Sequence, residues 1–217
     1  MAQRDDAVRL TLVKLQEAAA GVAVAEMKRA PTTDAVVEML PQIVAYYADG
    51  SAALAADYYD DLRDDANAVL RFTAEPVVDI DEVKVRNAAA WAAEPLRLVE
   101  PDEALSAARL AEVITLRTAE PFRDTVTENR RRDPAAVGWR RYVSGKGCAF
   151  CRMLADRGAV YKAETARFAS HGNCSCTASP VFDPQAEEAS TLQYVASKRN
   201  RSAAEQIRLR EYLNARY

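Results

Sequence analysis

Apolar side chains recur at alternating steps of three and four residues along most of residues 1–132. This spacing places them on one face of an α-helix, so the pattern predicts a helical region. Pro31 and the dipeptide Asp133-Pro134 end the pattern, because proline lacks the amide proton that a helix interior needs. We therefore expect three long helices and one short one, at about residues 5–29, 33–62, 81–93 and 102–132.

Capping residues support the predicted helix starts. Thr32 and Asp102 carry side-chain oxygens that can accept hydrogen bonds from the open amides of a first helical turn. Pro41 falls inside the second long helix, and we expect it to bend or interrupt that helix. Pro121 falls inside the third, and we expect it to kink that helix. In the short helix, we expect Trp91 to face the core.

Beyond residue 134 the helical pattern gives way to shorter elements. Residues 139–143 indicate a strand, residues 144–147 a glycine-containing turn, and residues 148–158 a tight turn that leads into a short helix. Residues 179–182 are expected to return as a second strand beside the first. This part of the chain therefore predicts a small unit of strands, turns and one helix.

The chain becomes helical again past Pro184. Ser202 and Glu205 have the spacing of a capping box, so we expect a break near Asn200 and a second helical segment after it. Together these patterns predict a mainly α fold with a long-helix N-terminal region, a small α+β module and a C-terminal helix. The corresponding parts are a helical scaffold at 1–134, the module at 135–184 and a C-terminal helical segment at 185–217.

Charge is unevenly distributed along the chain. The net charge is −3, but residues 1–122 carry 12 basic and 22 acidic side chains, whereas residues 123–167 carry 11 basic and 5 acidic ones. The basic segment favours a polyanionic or acidic partner, although a solvated helix end explains it equally well. The candidate contacts with a polyanion or another partner are Arg130, Arg131, Arg132, Arg140 and Arg141.

All four cysteines and the single histidine fall within residues 148–176. Two thiolates separated by two residues can bind a metal from one tight turn, and tetrahedral Zn²⁺ prefers sulfur and imidazole nitrogen ligands. Five candidate ligands are available for the four positions around a tetrahedral zinc ion. We expect Cys174 and Cys176 to compete for one of these positions, because their side chains are expected to point to opposite faces of an extended segment. The candidate zinc ligands are Cys148, Cys151, His171, Cys174 and Cys176.

Other uses of these residues fit the sequence less well. Disulfide bonds are rare in cytosolic proteins, and the amino terminus lacks the features of a secretory signal. A redox pair at Cys148 and Cys151 would leave His171 unexplained, and the zinc deaminase motifs are absent. An iron–sulfur cluster and a disulfide formed in a mature particle remain open, since both would use similar residues. We favour a closed structural zinc site that stabilises residues 135–184, with no catalytic residues.

Several segments resemble a known protein family. The sequence CAFCRMLADRGAVY at 148–161, followed by HGNCSC at 171–176, resembles the carboxy-terminal module of the Mu F-like minor head proteins of tailed bacteriophages. Residues 50–63 are similar to the helix that precedes this module in actinobacteriophage members, and residues 123–129 and 138–140 also match. In that family the cysteine and histidine positions are the presumed metal ligands.

The resemblance implies a virion component that is not an enzyme. Such a protein is a minor capsid protein, made in the host cytoplasm and held in few copies inside the head at the portal, where it aids head assembly or DNA delivery. The implied cofactor is structural zinc. The implied partners are the portal protein, other capsid proteins and packaged DNA, with no membrane. Two alternatives stay open: a zinc module that binds nucleic acid through residues 123–167, and a metal-dependent hydrolase that uses the aspartates near Asp60.

Overall fold

The computed structural model describes residues 2–144, 147–156, 161, 168, 170, 172–186 and 202–216. The first part contains four helices: α1 (Ala2–Arg29), α2 (Thr33–Asp65), α3 (Glu82–Ala93) and α4 (Glu103–Arg132). The second part contains β1 (Gly138–Tyr142), α5 (Ala149–Asp156), β2 (Thr177–Val181) and α6 (Ala203–Arg216). This arrangement confirms a mainly α fold with a long-helix N-terminal region, a small α+β part and a C-terminal helix.

The helices begin at the capping residues expected from the sequence. The Thr32 side chain accepts a hydrogen bond from the Ala35 amide (3.1 Å), and Asp102 accepts one from the Leu105 amide (2.9 Å). Each cap satisfies an amide that has no partner within its own helix. The starts of α2 and α4 are therefore supported by local side-chain caps.

Two prolines lie inside helices without ending them. α2 continues through Pro41 and α4 continues through Pro121, and both prolines are buried. Pro41 therefore does not interrupt α2, while the bend expected at each proline stays a prediction. In each helix the turns on either side of the proline carry buried apolar residues, so packing against neighbouring helices holds the helix together despite the missing amide proton.

The core consists of two groups of buried apolar side chains. The first group contains buried residues of all four helices α1, α2, α3 and α4. Its members include Leu40, Val44, Val85, Leu110 and Ile114. The second group joins α1, α2 and α4 to the strands, and it includes Leu12, Tyr58, Tyr59, Phe122 and Trp139. Because the second group includes residues of both the helices and the sheet, the sheet packs directly against the long helices.

Trp91 does not face the core, so that prediction is wrong. Its side chain is 45% exposed, and the guanidinium of Arg109 lies 4.7 Å from the centroid of its ring. The inward positions of α3 are occupied by Val85, Ala89 and Ala92. Adjacent residues of a helix differ in direction by about 100°, so Ala92 can face inward while Trp91 faces outward.

β1 and β2 form the antiparallel pair expected from the sequence. Trp139 lies opposite Pro180, and Tyr142 lies opposite Thr177. Tyr161 forms an additional bridge with Trp139, and the two rings stack with centroids 4.3 Å apart. Because the strands are antiparallel, the chain that leaves β1 lies beside the chain that enters β2. These two flanking segments contain the two cysteine pairs.

α6 begins at the expected capping box. The Ser202 amide donates to the Glu205 carboxylate (2.9 Å), and the Glu205 amide donates to the Ser202 hydroxyl (3.3 Å). The expected break near Asn200 lies outside the described residues. Among the described helices, none combines the length and the apolar character that a membrane span needs. The division of the chain at residues 134 and 184 stays a prediction.

Candidate metal centre

The first cysteine pair lies between a turn and a short helix. The Gly147 amide donates to the Ser144 carbonyl (2.8 Å), as in a closed turn, while residues 145–146 lie outside the described part. The amide of Cys151, in the first turn of α5, donates to the Cys148 sulfur (3.4 Å). A backbone amide directed at a sulfur favours its charged thiolate form. This contact therefore favours the thiolate form at Cys148, the first member of the pair.

The second cysteine pair follows a turn at Gly172 and Asn173. Asn173 has a φ of 58°, a left-handed conformation that asparagine adopts more readily than most residues. The chain then passes through Cys174 and Cys176 into β2. Their two sulfurs lie within 4.8 Å of each other, so the expectation that they point to opposite faces is wrong. Residues two apart in an extended segment share a face.

Three sulfurs converge between the two segments. The Sγ atoms of Cys151, Cys174 and Cys176 all lie within 4.8 Å of one another, and the three residues are buried. The sulfurs of Cys151 and Cys174 are 3.7 Å apart. Two sulfurs bound at about 2.3 Å to a tetrahedral zinc ion would lie about 3.8 Å apart. The observed separation therefore suits a shared metal ion, which these three cysteines could bind.

Cys148 and His171 are the candidates for a fourth ligand. Cys148 is exposed, and with the three buried cysteines it lines a cleft of about 660 Å³ that α1 and α4 also border. His171 precedes Gly172 in the sequence and lies outside the described residues. The four cysteines, all in the described part of the chain, carry thiols rather than disulfides. The full set of five candidate ligands stays a prediction.

The buried thiols differ in acidity. Hydrogen bonds from the thiols of Cys151 and Cys176 lower the pKa of Cys174, and the positive charge of Arg123 lowers it further. Hydrogen bonds to Cys174 and Cys176 raise the pKa of Cys151, because they hold the Cys151 proton in place. Cys174 is therefore the first of the three to lose its proton. Its thiolate is the form that binds a metal ion.

Two side chains that were not singled out from the sequence hold the second cysteine segment. Arg123, in α4, is 2% exposed and donates to the carbonyl oxygens of Cys174 (2.8 Å) and Cys176 (3.1 Å). Gln16, in α1, donates to the Thr115 carbonyl (2.8 Å) and to the Cys174 carbonyl (3.4 Å). The cysteine segment is thus bound to two of the long helices through its backbone.

One signal in the sequence could have identified Arg123. It follows Phe122 and lies four residues after Ala119 and three residues before Val126, all of which are buried in α4. An arginine within the apolar stripe of a helix must find buried acceptors, because an isolated charge is costly to remove from water. Such a position is a candidate for a polar contact with another part of the chain.

Four of the five arginines proposed to contact a polyanion are engaged near the surface of the chain. Arg130 donates to the Val137 carbonyl (3.3 Å). The other three form ion pairs, namely Arg131–Glu128 (2.9 Å), Arg132–Glu75 (2.5 Å) and Arg140–Asp5 (2.7 Å). These contacts partly neutralise the basic segment from within the chain.

Arg141, the fifth of these arginines, lies beside the cysteine cluster instead. It is 6% exposed, and its guanidinium carbon lies 3.7 Å from the centroid of the Phe168 ring. Its Nη1 atom donates to the Cys151 sulfur at 3.9 Å. Arg123 lies near the same ring, 4.7 Å from its centroid. Two guanidinium groups therefore flank the cysteine cluster.

Comparison with known proteins gives one family. Residues 1–201 match the model of the family described as VG15 protein, a range that includes both cysteine pairs and ends before α6. The searches of curated proteins and of solved structures gave no significant match. The family match covers most of the chain and points to a bacteriophage protein without specifying its role. The chain belongs to the VG15 protein family.

Proposed function

We propose that this chain is a bacteriophage minor capsid protein of the Mu F-like type, located inside the head at the portal, where it aids head assembly or DNA delivery. The observation that carries the proposal is the order of its parts. A helical region with three long helices is followed by a compact unit in which two cysteine segments meet. The Mu F-like resemblance concerns these same segments, and the chain belongs to a family of phage proteins.

The metal centre has a structural role in this proposal. Sulfur-rich, buried zinc sites are typical of closed structural centres, whereas catalytic zinc keeps an open position for water or substrate. The two strands are five residues each and α5 is eight residues long, so this part of the chain has little core of its own. A bound zinc ion supplies stability that such a small unit lacks. The chain is proposed to build the head rather than to catalyse a reaction.

The proposed partners are the portal protein and other head proteins. The nucleic-acid-binding alternative has less support, because Arg131, Arg132 and Arg140 already pair with carboxylates of the same chain. Binding to DNA would require these ion pairs to open or the remaining charges to suffice. Contact with packaged DNA is therefore secondary to protein contacts in the proposal.

The copy number in purified particles tests this function. Virions and DNA-free procapsids of a phage that encodes the chain are purified on density gradients, and the chain is quantified by mass spectrometry against the portal protein. We expect a few copies per portal in both particles. A phage replication protein serves as the control for adhering contaminants. Absence of the chain from virions and procapsids alike would overturn the proposal.

A further inference from the structure

We infer that the metal–thiolate centre supplies negative charge beside two buried arginines, Arg123 and Arg141, so that metal binding and docking of the cysteine segments against α4 form one coupled event. The inference rests on the proposed metal centre and adds positioning residues to it. It concerns the charge balance of the site and the attachment of the cysteine segments to α4, rather than which residues bind the metal.

Arg123 provides the first line of evidence. Its Nε and Nη2 atoms donate to the carbonyls of Cys176 and Cys174, which are neutral acceptors and do not cancel its charge. Its Nη1 atom is buried and has no hydrogen-bond partner among the described residues. Arg123 is 2% exposed and forms no ion pair among the described residues, and the negative charge that acts on it most strongly is that of Cys174, followed by those of Cys176 and Glu120. A buried cation in this state needs a nearby anion.

Arg141 provides the second line of evidence. It approaches the cluster from β1, and its Nη1 atom donates to the Cys151 sulfur at 3.9 Å. A hydrogen bond from a guanidinium to a sulfur is stronger when the sulfur is a thiolate. Phe168 lies against both guanidiniums, at 4.7 Å from Arg123 and 3.7 Å from Arg141. The two positive charges are thus held close to each other and to the sulfurs.

The net charge of the bound metal and its ligands determines how much of the positive charge of the two arginines it balances. A divalent ion bound by four thiolates has a net charge of about −2, and one bound by three thiolates and a neutral imidazole has about −1. Either centre offsets the two guanidiniums wholly or in part. Neutral thiols without a metal would remove this negative charge from beside both guanidiniums. Metal loss should therefore weaken the docking of the cysteine segments on α4.

Metal titration of arginine variants tests the inference. The reduced full-length chain is titrated with Co²⁺ and then Zn²⁺, and the affinity and the thiolate-to-cobalt absorption band are recorded. We expect Arg123→Met and Arg141→Met to weaken zinc binding about tenfold or more, the range found when groups around metal ligands are removed. Arg141→Met should also shift the cobalt band, because the donor to the Cys151 sulfur is lost. Arg123→Lys, which keeps the charge, should recover part of the affinity.

Arg63→Met is the matched control. Arg63 is also buried, but it pairs with Asp133 (2.9 Å) and does not contact the cysteines. This variant should lower the stability of the fold while zinc affinity stays within about twofold of wild type, since the ligands and their neighbours are unchanged. It separates loss of folding stability from loss of the positive charge beside the cysteine cluster.

The outcomes separate the inference from the proposed centre. Wild-type zinc affinity and an unchanged cobalt band in both methionine variants would overturn the inference and leave the metal centre intact. If the wild-type chain binds neither metal under reducing conditions, the metal centre fails and the inference fails with it. If Arg123→Met does not fold, Arg123→Lys and Arg141→Met test the inference in its place. Weakened zinc binding in Arg141→Met would support the coupling. Wild-type zinc affinity in both variants would contradict it.

Discussion

Asp5 and Arg140 form an ion pair of 2.7 Å although 135 residues separate them in the sequence. Asp5 lies in the first turn of α1 and is 1% exposed, while Arg140 lies in β1. Tyr58 of α2 donates to the same carboxylate, and its hydroxyl also lies 2.9 Å from the Ser179 hydroxyl of β2. Two helices and both strands therefore meet in one buried polar network.

Removal of the Asp5 carboxylate should destabilise the fold. In Asp5→Ala, Arg140 and the Tyr58 hydroxyl lose a shared buried acceptor, and we expect a loss of roughly 3–5 kcal/mol in the free energy of unfolding. Urea unfolding followed by circular dichroism measures this change. The control is Asp6→Ala, because Asp6 is 45% exposed and its contacts are an ion pair with Arg9, three residues away, and a hydrogen bond with Tyr142, which is only partly buried. That variant should lose about 1 kcal/mol or less, and equal losses in the two variants would argue against the network.

Both Cys174 and Cys176 should be needed for metal binding. Their sulfurs lie in one cluster with Cys151, so we expect both to bind the metal and neither to be a spare thiol. We expect Cys174→Ser and Cys176→Ser each to lose most of the bound zinc after dialysis, as measured by elemental analysis. Ser175→Ala, between them, is the control and should retain it. Full zinc retention in either cysteine variant would contradict the shared role.

Gly147 and Gly21 should respond to alanine in opposite directions. A Cβ at position 147 would lie 2.1 Å from Cγ1 of Val143 and 3.1 Å from the Ser144 carbonyl oxygen, and the branched Val143 side chain has little freedom to move. We expect Gly147→Ala to cost about 1–3 kcal/mol and to weaken zinc binding through the adjacent Cys148.

Gly21 is the matched position for this prediction. It lies inside α1, and a Cβ there meets nothing within 4 Å. Gly21→Ala should stabilise the fold by about 0.5–1 kcal/mol, because alanine loses less conformational freedom in a helix. Thermal unfolding of the two variants measures both effects. A stabilised Gly147→Ala variant would show that the turn before Cys148 is not closely packed.

Asp60 should make stability depend on pH in a defined direction. Burial raises the pKa of Asp60 above its usual 3.8, and the negative charges of Asp64 and Asp57 raise it further. A pKa raised on folding means that stability from this group is present below the unfolded value and is lost as pH rises through the folded value. The ionised Asp60 therefore lowers stability at neutral pH.

Asp60→Asn should consequently be more stable than wild type at pH 7. Asparagine keeps an oxygen that can accept the Ala74 amide, which now donates to the Asp60 carboxylate at 2.9 Å. The gain should shrink as pH falls toward 4, which thermal unfolding between pH 7 and pH 4 would measure. Asp60→Ala is the comparison, since it removes both the charge and the acceptor. A gain that grows as pH falls would contradict the assignment.

Much of the helical fold could be predicted because its signals are local. The helix caps depend on residues close in the sequence, as at Thr32 and Asp102. The antiparallel pairing depends on the chain returning beside itself, as at Trp139 and Pro180. Trp91 could not be placed, because helical spacing alone does not distinguish it from the adjacent Ala92. The packing of α3 against its neighbours decides between the two.

The candidate site could be predicted only in part, for a related reason. The cysteines were identifiable by their spacing, whereas the contact between Arg123 and Cys174 joins residues 51 positions apart and exists only because α4 lies beneath the cysteine segment. Arg141 follows Arg140 in the basic segment, so the sequence alone places it among the candidate contacts with a polyanion. Its burial against Phe168 and Cys151 depends on tertiary packing.

The zinc content of the purified, reduced chain tests the metal centre most directly. Native mass spectrometry after dialysis should show one zinc ion per chain in the wild type and its loss in Cys151→Ser, the variant of the most buried of the clustered cysteines. A reduced wild-type chain that folds and binds no zinc when the ion is supplied, or a Cys151→Ser variant that keeps the full amount, would contradict a zinc centre at this cluster.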